Sequence, residues 1–350
     1  VESGSHKITA PLNLNGDATL NLSDSTLLTL GAATGASSTL TAQGNGTLAF
    51  MNAPSVQALS LNVPEIGVSN TLTLASPVVM QRSITVRPAL STTTTVSGVV
   101  SGAANLTKVG SSTLALNGAN TYSGITTVSA GTLSANSLAN GGQACSLGAS
   151  PSSSANWILG PATFYYSGPS ATINRGYTLN TGSGRAAVMR LDGDLTLSGS
   201  CASWSGAFLK TGPGTLRYTY TGAQTLASAE GGGDGLLNIG ANGDGPSAGI
   251  WGYTISNGKV IMGAAGQTNT INFRITVGHY TTTAAGAETA GELQIDGGVL
   301  NCNSTLGIGR GNGTTATAPD GLSSRLTVNG GTINCNILTL GYAGVVPAAT

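Results

Sequence analysis

The stretch ANLTKVGSSTLALNGANTYSGITTVSAGTLSAN, residues 104–136, alternates short apolar runs with turn residues. Asn117-Gly118 and Ser129-Ala130-Gly131 are turn sequences, because Gly and Asn adopt positive φ at low cost. The apolar runs have the length of strands, and none is long enough for an ordinary helix. These runs are residues 106–109, 113–116 and 126–133. The pattern predicts short β-strands separated by tight corners.

The same stretch resembles the autotransporter-associated β-strand repeat of bacterial secreted and surface proteins. The pattern of that family is roughly L-T-K-x-G-x-G-T-L-x-L-x-G-x-N-T-Y-x-G-x-T-x-V-x-x-G-T-L. The matching residues are Leu106, Lys108, Gly110, Thr113, Leu114, Leu116, Gly118, Asn120, Thr121, Tyr122, Gly124, Thr126, Val128, Gly131, Thr132 and Leu133. Ser112 stands where Gly is usual, and we expect this departure to weaken a tight turn. The resemblance implies a right-handed parallel β-solenoid on the outside of a cell, but names no ligand or reaction.

The composition is polar without being charged. Only 7% of the 350 residues are charged, and 13 Lys and Arg balance 13 Asp and Glu. Ordinary soluble domains have about 25% charged residues. We therefore expect no attraction to nucleic acid or to an anionic membrane surface, and little repulsion between copies. No apolar run reaches the roughly 20 residues of a membrane span.

Two internal repeats extend the solenoid prediction along the chain. FLKTGPGTLRYTYTG at 208–222 is a degenerate second copy, in which Lys210 lies 102 residues after Lys108. ELQIDGGVLNCNSTLGIGR at 292–310 repeats after 33 residues, which fits one coil of a three-faced β-helix with a projecting loop at 311–323. Upstream, residues 1–103 show short apolar runs about every ten residues.

We predict an all-β protein, a right-handed parallel β-helix (β-solenoid) of stacked short coils. Its parts are N-terminal coils at 1–136 that include the repeat at 104–136, an irregular or inserted region at 137–190, and C-terminal coils at 191–350 with the 33-residue repeat at 292–343. The first residues lack the basic and apolar regions of a signal peptide. We therefore expect a mature form or a segment of a longer protein.

Two columns of equivalent residues follow from the 33-residue repeat. Cys302 and Cys335 have the strand parity of apolar neighbours, so both thiols should point into the core about 4.8 Å apart. They form either a column of buried thiols or a disulfide between coils, and a pair of Cys145 with Cys201 also stays open. Four asparagines have the opposite parity and should form axial hydrogen bonds or a sugar-binding polar strip. These asparagines are Asn301, Asn303, Asn334 and Asn336.

Few side chains are candidates for chemistry. Arg190, Asp192 and Asp194 alternate along the chain and should share one strand face, as a charged surface or as the catalytic group of a polysaccharide-degrading enzyme. Asp234 and Asp244 lie in Gly-rich segments, which are either solvated loops or a calcium site. His6 and His279 are far apart, and no zinc motif occurs. Six aromatic residues either cover the core or stack on sugars. They are Tyr122, Trp157, Tyr165, Tyr166, Trp204 and Trp251.

These observations favour a non-enzymatic extracellular or cell-surface structural protein of a bacterium, either an adhesin stalk or a fibre-forming subunit. We predict no catalytic residue, cofactor or metal site. The alternative is a β-helical polysaccharide-degrading enzyme, a lyase or glycosidase. A third hypothesis is the exported passenger segment of an autotransporter. The partners that we expect are further copies of the chain, in filaments or end-to-end stacks, and surface glycans.

Overall fold

The computed structural model describes residues 1–182, 185–205, 207–227, 237–238, 246–247, 253–255, 258–263, 266–272, 275–281, 291–312, 324–340 and 343–344. The chain divides into two compact units, Val1–Ser152 with Asn156–Ile158, and Ser153–Ala155 with Leu159–Thr350. The described residues contain strands and a single 3-10 turn, Ser154–Asn156, and none of their helices has the length and hydrophobicity of a membrane span. The predicted three-part division of the chain stays a prediction.

Short strands separated by corners make up the first unit, as the alternation of apolar and polar residues predicts. They are β1 (Gly4–Asn13), β2 (Ala18–Leu22), β3 (Thr26–Gly44), β4 (Thr47–Phe50), β5 (Ser55–Asn62), β6 (Glu65–Val68), β7 (Leu72–Leu74), β8 (Val78–Met80), β9 (Ile84–Pro88), β10 (Thr93–Val96), β11 (Val100–Ser101), β12 (Leu106–Lys108), β13 (Thr113–Leu116), β14 (Thr126–Val128) and β15 (Thr132–Ala135). β16 (Trp157–Leu159) follows the 3-10 turn.

Parallel pairing stacks these strands into three faces. One face contains β1, the first part of β3, β4, β6, β9, β12 and β14, and a second contains β2, the second part of β3, β5, β8 and β11. The third face contains β7, β10, β13 and β15. Leu106 pairs with Ile84 of the preceding coil and with Thr126 of the next, so a coil here takes about 20 residues. All three side chains are buried, which makes them one column of the core.

The second unit is built in the same way from longer coils. Its strands are β17 (Thr163–Tyr166), β18 (Ala171–Ile173), β19 (Thr178–Asn180), β20 (Ala186–Leu191), β21 (Leu195–Leu197), β22 (Ala202–Ser205), β23 (Ala207–Thr211), β24 (Thr215–Tyr218), β25 (Ala223–Ala227), β26 (Leu237–Asn238), β27 (Pro246–Ser247), β28 (Tyr253–Ile255), β29 (Gly258–Met262), β30 (Thr268–Ile271), β31 (Ile275–Thr281), β32 (Gly291–Ile295), β33 (Val299–Asn312), β34 (Arg325–Val328), β35 (Thr332–Leu340) and β36 (Ala343–Gly344). Within the described residues these strands pair in parallel, except β26, which pairs antiparallel with β27. Glu292 pairs with Arg325, so the 33-residue repeat is one coil. The all-β, parallel β-solenoid prediction is confirmed.

Three local predictions need correction. The run predicted at 126–133 is two strands, β14 and β15, because the chain turns at Gly131, which has φ 65°. The short runs expected about every ten residues in 1–103 are not all separate strands, because residues 27–30 and 40–42 both belong to β3. The small residues near Gly35 let this extended chain bend between two faces. Ser112 does not weaken its turn, because it keeps negative φ and its hydroxyl donates to the Ala89 carbonyl.

Candidate functional site

The lysine of the family repeat is enclosed in a corner of the solenoid. Lys108 is fully buried, and its Nζ donates to the carbonyls of Val109 at 2.9 Å, Gly110 at 2.7 Å and Ala130 at 3.1 Å. The last of these carbonyls belongs to the next coil, so the ammonium group joins two coils. Burial, and secondly the charge of Arg87, lower the pKa of Lys108 to about 8. The side chain is a structural cap and is closed off from any substrate.

Lys210 occupies the equivalent corner of the second unit, as the alignment of the two repeats predicts. It is also fully buried, and its Nζ donates to the Gly212 carbonyl at 2.5 Å and to the Gly214 carbonyl. In both corners the ammonium therefore binds the carbonyl two residues further on. Burial lowers the pKa of Lys210 to about 8, against the opposing effect of Asp194. Gly258 of the next coil, at φ 79°, passes directly over this ammonium, and a Cβ there would lie 2.2 Å from Nζ.

The Asn-Thr-Tyr turn of the repeat is also structural. Asn120 is buried, and its Oδ1 accepts from the Val100 amide at 2.8 Å while its Nδ2 donates to the Ser146 carbonyl at 2.9 Å. Tyr122 is buried as well, and its hydroxyl lies 2.7 Å from Thr126 Oγ1. Tyr122 therefore covers the core and offers no surface for a sugar.

An exposed cluster in the second unit contains two of the three charged residues singled out from the sequence. Arg190 Nε lies 3.6 Å from Asp192 Oδ1, and the guanidinium stacks on the Tyr165 ring at 4.5 Å from its centroid. The Tyr165 hydroxyl donates to Asp192 Oδ2 at 2.5 Å, and this hydrogen bond raises the pKa of Tyr165. We call these three residues the Tyr165 cluster. It brings together on the surface Arg190 and Asp192 of the predicted charged group.

Asp194 does not join this cluster. The prediction that Arg190, Asp192 and Asp194 share one strand face is wrong, because β20 ends at Leu191 and both aspartates lie at the corner that follows. Asp194 Oδ1 instead accepts a hydrogen bond from the Thr215 amide of the next coil at 2.7 Å. This carboxylate therefore holds two coils together.

Two other aromatic candidates belong to the core. Trp157 and Tyr166 are buried, and the Tyr166 hydroxyl donates to the Pro169 carbonyl at 2.5 Å. The side chains of Trp204 and Trp251 lie outside the described residues. The structure describes the side chains of four of the six aromatic candidates. Among these four, only the Tyr165 ring reaches the surface.

The Cys column and one Asn column predicted for the 33-residue repeat are confirmed, whereas Asn303 and Asn336 lie at a register shift and Asn336 Nδ2 donates to the Asn303 backbone carbonyl. Cys302 pairs in register with Cys335, and Asn301 pairs with Asn334, whose Nδ2 donates to Asn301 Oδ1 at 2.9 Å. Cys302 is buried and Cys335 half-buried, and neither is in a disulfide, which holds for Cys145 and Cys201 too. Burial raises the pKa of Cys201 to about 12.

A chain of tyrosine hydroxyls in the second unit has no counterpart in the sequence prediction. Tyr177 and Tyr218 hydroxyls lie 2.8 Å apart, and those of Tyr218 and Tyr253 lie 2.9 Å apart. All three side chains are buried, and burial raises their pKa values well above the ordinary range. The hydroxyls are therefore neutral at physiological pH and connect successive coils inside the core. The three tyrosines are 41 and then 35 residues apart, and this unequal spacing forms no sequence pattern from which their contact could be predicted.

The described residues contain no group of three His, Cys, Asp or Glu side chains that could hold a metal ion. Asp234 and Asp244, the candidate calcium ligands, lie outside those residues, as does the side chain of His279. His6 is exposed, with Nε2 2.5 Å from the Ser3 carbonyl oxygen.

Comparison with known proteins agrees with the geometry of these corners in identifying the repeat. The passenger-associated transport repeat family matches residues 106–135. The chain is 35% identical over 214 residues to the adhesin BmaC autotransporter of Brucella suis biovar 1 (strain 1330). This alignment covers 59% of the chain and 6% of that relative. No solved structure matches the chain. The predicted resemblance is confirmed, since the chain carries an autotransporter-associated repeat.

Proposed function

We propose that the chain is a non-enzymatic, extracellular or cell-surface structural segment of a bacterial adhesin, built as a stalk or fibre from β-solenoid coils. The observation that carries the proposal is the similarity over 214 residues to an autotransporter adhesin. An autotransporter passenger is an exported part, and this supports a position of the chain outside the cell. We infer the adhesive function and the localisation of this chain from that relative.

The placement of the repeat residues supports a structural role. Lys108, Asn120 and Tyr122 are buried, and each forms hydrogen bonds that hold corners or neighbouring coils. The rest of the surface is rich in uncharged polar side chains, because only 7% of the residues are charged. Such a surface repels other surfaces weakly, which favours adhesion and association between copies.

The last described coil supports association end to end. Leu306 and Ile308 of β33 are buried beneath Leu338 and Leu340 of β35, with which they pair. Leu338 and Leu340 themselves are 52% and 68% exposed. A further coil of the same kind, whether it follows in a longer chain or comes from another copy, would bury them as β35 buries the residues before it.

Adhesion of particles coated with the chain tests the proposal. Beads carrying the purified chain should bind to a panel of epithelial cells and immobilised glycans, and beads carrying the urea-unfolded chain should bind at background level. Equal binding by folded and unfolded chains, or no binding above uncoated beads, would contradict the adhesive function.

The enzyme alternative has its own test, because Arg190 and Asp192 do lie together in the Tyr165 cluster. We expect no cleavage of a panel of uronic-acid and neutral polysaccharides by the purified chain. Cleavage that disappears in Asp192→Asn, with Asp17→Asn as an exposed control, would establish the enzyme and overturn the structural role.

A further inference from the structure

The first unit also has a concave surface. It has a volume of about 560 Å³ and lies on the face formed by β4, β6 and β9. We call it the Arg87 groove. Its floor is made of small residues, because Ala49 pairs in register with Gly67 and a Cβ on Gly67 would lie 3.2 Å from the Ala49 Cβ. The volume lies within the 300–1,000 Å³ typical of sites for small ligands.

One wall of the groove is charged. Arg87 Nε donates to Glu65 Oε1 at 2.8 Å, and 54% of the arginine side chain is exposed. Among the described residues only Glu65 is bonded to this guanidinium, so its terminal nitrogens are left for a ligand. Behind the wall, the buried Lys108 ammonium donates to the carbonyl of Gly110, which lines the groove. Arg87 and Glu65 form an exposed ion pair, and the buried Lys108 behind them adds one positive charge, which favours an anionic ligand without contacting it.

Another part of the rim is an exposed apolar residue on a firmly held turn. Leu90 is 78% exposed, and the next residue, Ser91, has φ 58°, a conformation that costs energy outside glycine. The carbonyl of Ala89 accepts from both the amide and the hydroxyl of Thr92 and from the hydroxyl of Ser112. The turn therefore presents Leu90 beside the groove in a fixed position. Hydroxyl groups of Thr47, Ser69 and Ser111 complete the lining.

We propose that the Arg87 groove binds a carboxylate-bearing sugar residue of an acidic glycan. The guanidinium of Arg87 would hold the carboxylate in a charge-assisted pair, the aliphatic rim at Leu90 and Pro88 would contact the C–H face of the ring, and the hydroxyls of the lining would bond those of the sugar. The inference rests on the proposed function for its setting, an adhesive surface outside the cell. It names the class of ligand and the place where that ligand binds.

The sheet itself disfavours a peptide added as a strand. β4, β6 and β9 each pair with a strand on both sides, so the floor of the groove has no unpaired backbone edge. A peptide would have to bind through side chains alone. The mixture of one exposed guanidinium, several hydroxyls and a small apolar rim matches a sugar ring better.

The test is titration of the purified full chain with methyl glucuronide and with methyl glucoside, which differ in the carboxylate, followed by calorimetry or ligand-observed NMR. We expect the glucuronide to bind at least about tenfold more tightly than the glucoside. Arg87→Gln should remove that preference and Leu90→Ser should weaken binding of both sugars. Arg82→Gln, at an arginine bonded to Asn45 outside the groove, should behave as the unmodified chain.

Several outcomes would overturn the proposal. They are no glucuronide binding, equal affinity for the two sugars, tighter binding of an acidic peptide, or full glucuronide binding by a folded Arg87→Gln chain. Circular dichroism establishes that the variant is folded, and Arg87→Lys, which keeps the charge, should retain part of the preference. Free sugars and bead adhesion are separate readouts. Adhesion without glucuronide binding contradicts this inference alone, and glucuronide binding without adhesion contradicts the proposed function alone.

Discussion

A buried ammonium group stabilises a fold only where backbone carbonyls replace the water that it has lost. Lys108 and Lys210 meet this condition at solenoid corners, where carbonyls of a turn converge because the chain changes direction. The long aliphatic part of each side chain lies in the core, and its charged end closes the corner. The lysine of the repeat is thus an element of folding, which explains why it is followed by glycine-rich turns.

Replacing either lysine should destabilise the protein. Lys108→Met and Lys210→Met keep the apolar volume but leave buried carbonyls without their donor. We expect each variant to lower the free energy of unfolding by about 2 kcal/mol. Urea unfolding followed by circular dichroism measures the change, and Lys7→Met, at an exposed lysine of β1, is the control. Unfolding curves that coincide with the control would show that the caps add nothing to stability.

The same lysines should make stability depend on pH. Their folded pKa values of about 8 lie below the ordinary 10.5, so above pH 8 the unfolded chain binds more protons and stability rises with pH. We expect a gain of about 1 kcal/mol per lysine between pH 8 and 9. Above pH 9 the buried Cys201 thiol and the buried tyrosines act in the opposite direction, because only the unfolded chain can ionise them readily. The rise should be smaller by one lysine's share in Lys108→Met, and an unchanged slope there would contradict this assignment.

Thr94 is a polar residue at an inward position of the first unit. It pairs with Leu72 and Leu114 in an otherwise apolar column, and its buried hydroxyl has no hydrogen-bond partner among the residues that the structure describes. It also borders an apolar internal cavity of about 40 Å³. Thr94→Val should therefore raise the free energy of unfolding by about 1 kcal/mol. Thr95→Val, on the outward side of the same strand, is the control, and a destabilised Thr94→Val chain would indicate a bound water at the hydroxyl.

At the scale of strands and coils, register was predictable where a repeat fixes the coil length. The 33-residue repeat and the period of two along a strand predicted that Cys302 stacks on Cys335 and Asn301 on Asn334. The Tyr165 cluster was not predictable in this way. Tyr165 pairs with Arg190 across 25 residues, whereas Arg190 pairs with Thr211 across 21, so no constant period reveals the contact. The acceptors of Lys108 were hidden for another reason, since backbone carbonyls have no sequence signature.

The columns lead to a prediction about thiol reactivity. Cys145, Cys201 and Cys302 are buried, whereas Cys335 is half-buried in the last described coil. With a pKa of about 12, Cys201 has a thiolate fraction about a thousandfold below that of an ordinary thiol. A water-soluble maleimide should therefore label Cys335 first in the folded chain and all four cysteines after unfolding, as counted by mass spectrometry. Fewer than four adducts from the unfolded, unreduced chain would instead reveal a disulfide.

For the chain as a whole, the surface that bears on association is the last described coil, where Leu338 and Leu340 of β35 are exposed. Leu338→Lys with Leu340→Lys should abolish concentration-dependent association in sedimentation velocity, because it places two charges where another coil would pack. Thr339→Lys, between them with the opposite parity, adds one positive charge to the outward side of β35 and should leave association unchanged. Association should also protect Cys335, which shares this strand, from maleimide. If the double variant and Thr339→Lys associate equally, copies associate through their sides. If both variants lose association, added charge alone is enough to keep the copies apart.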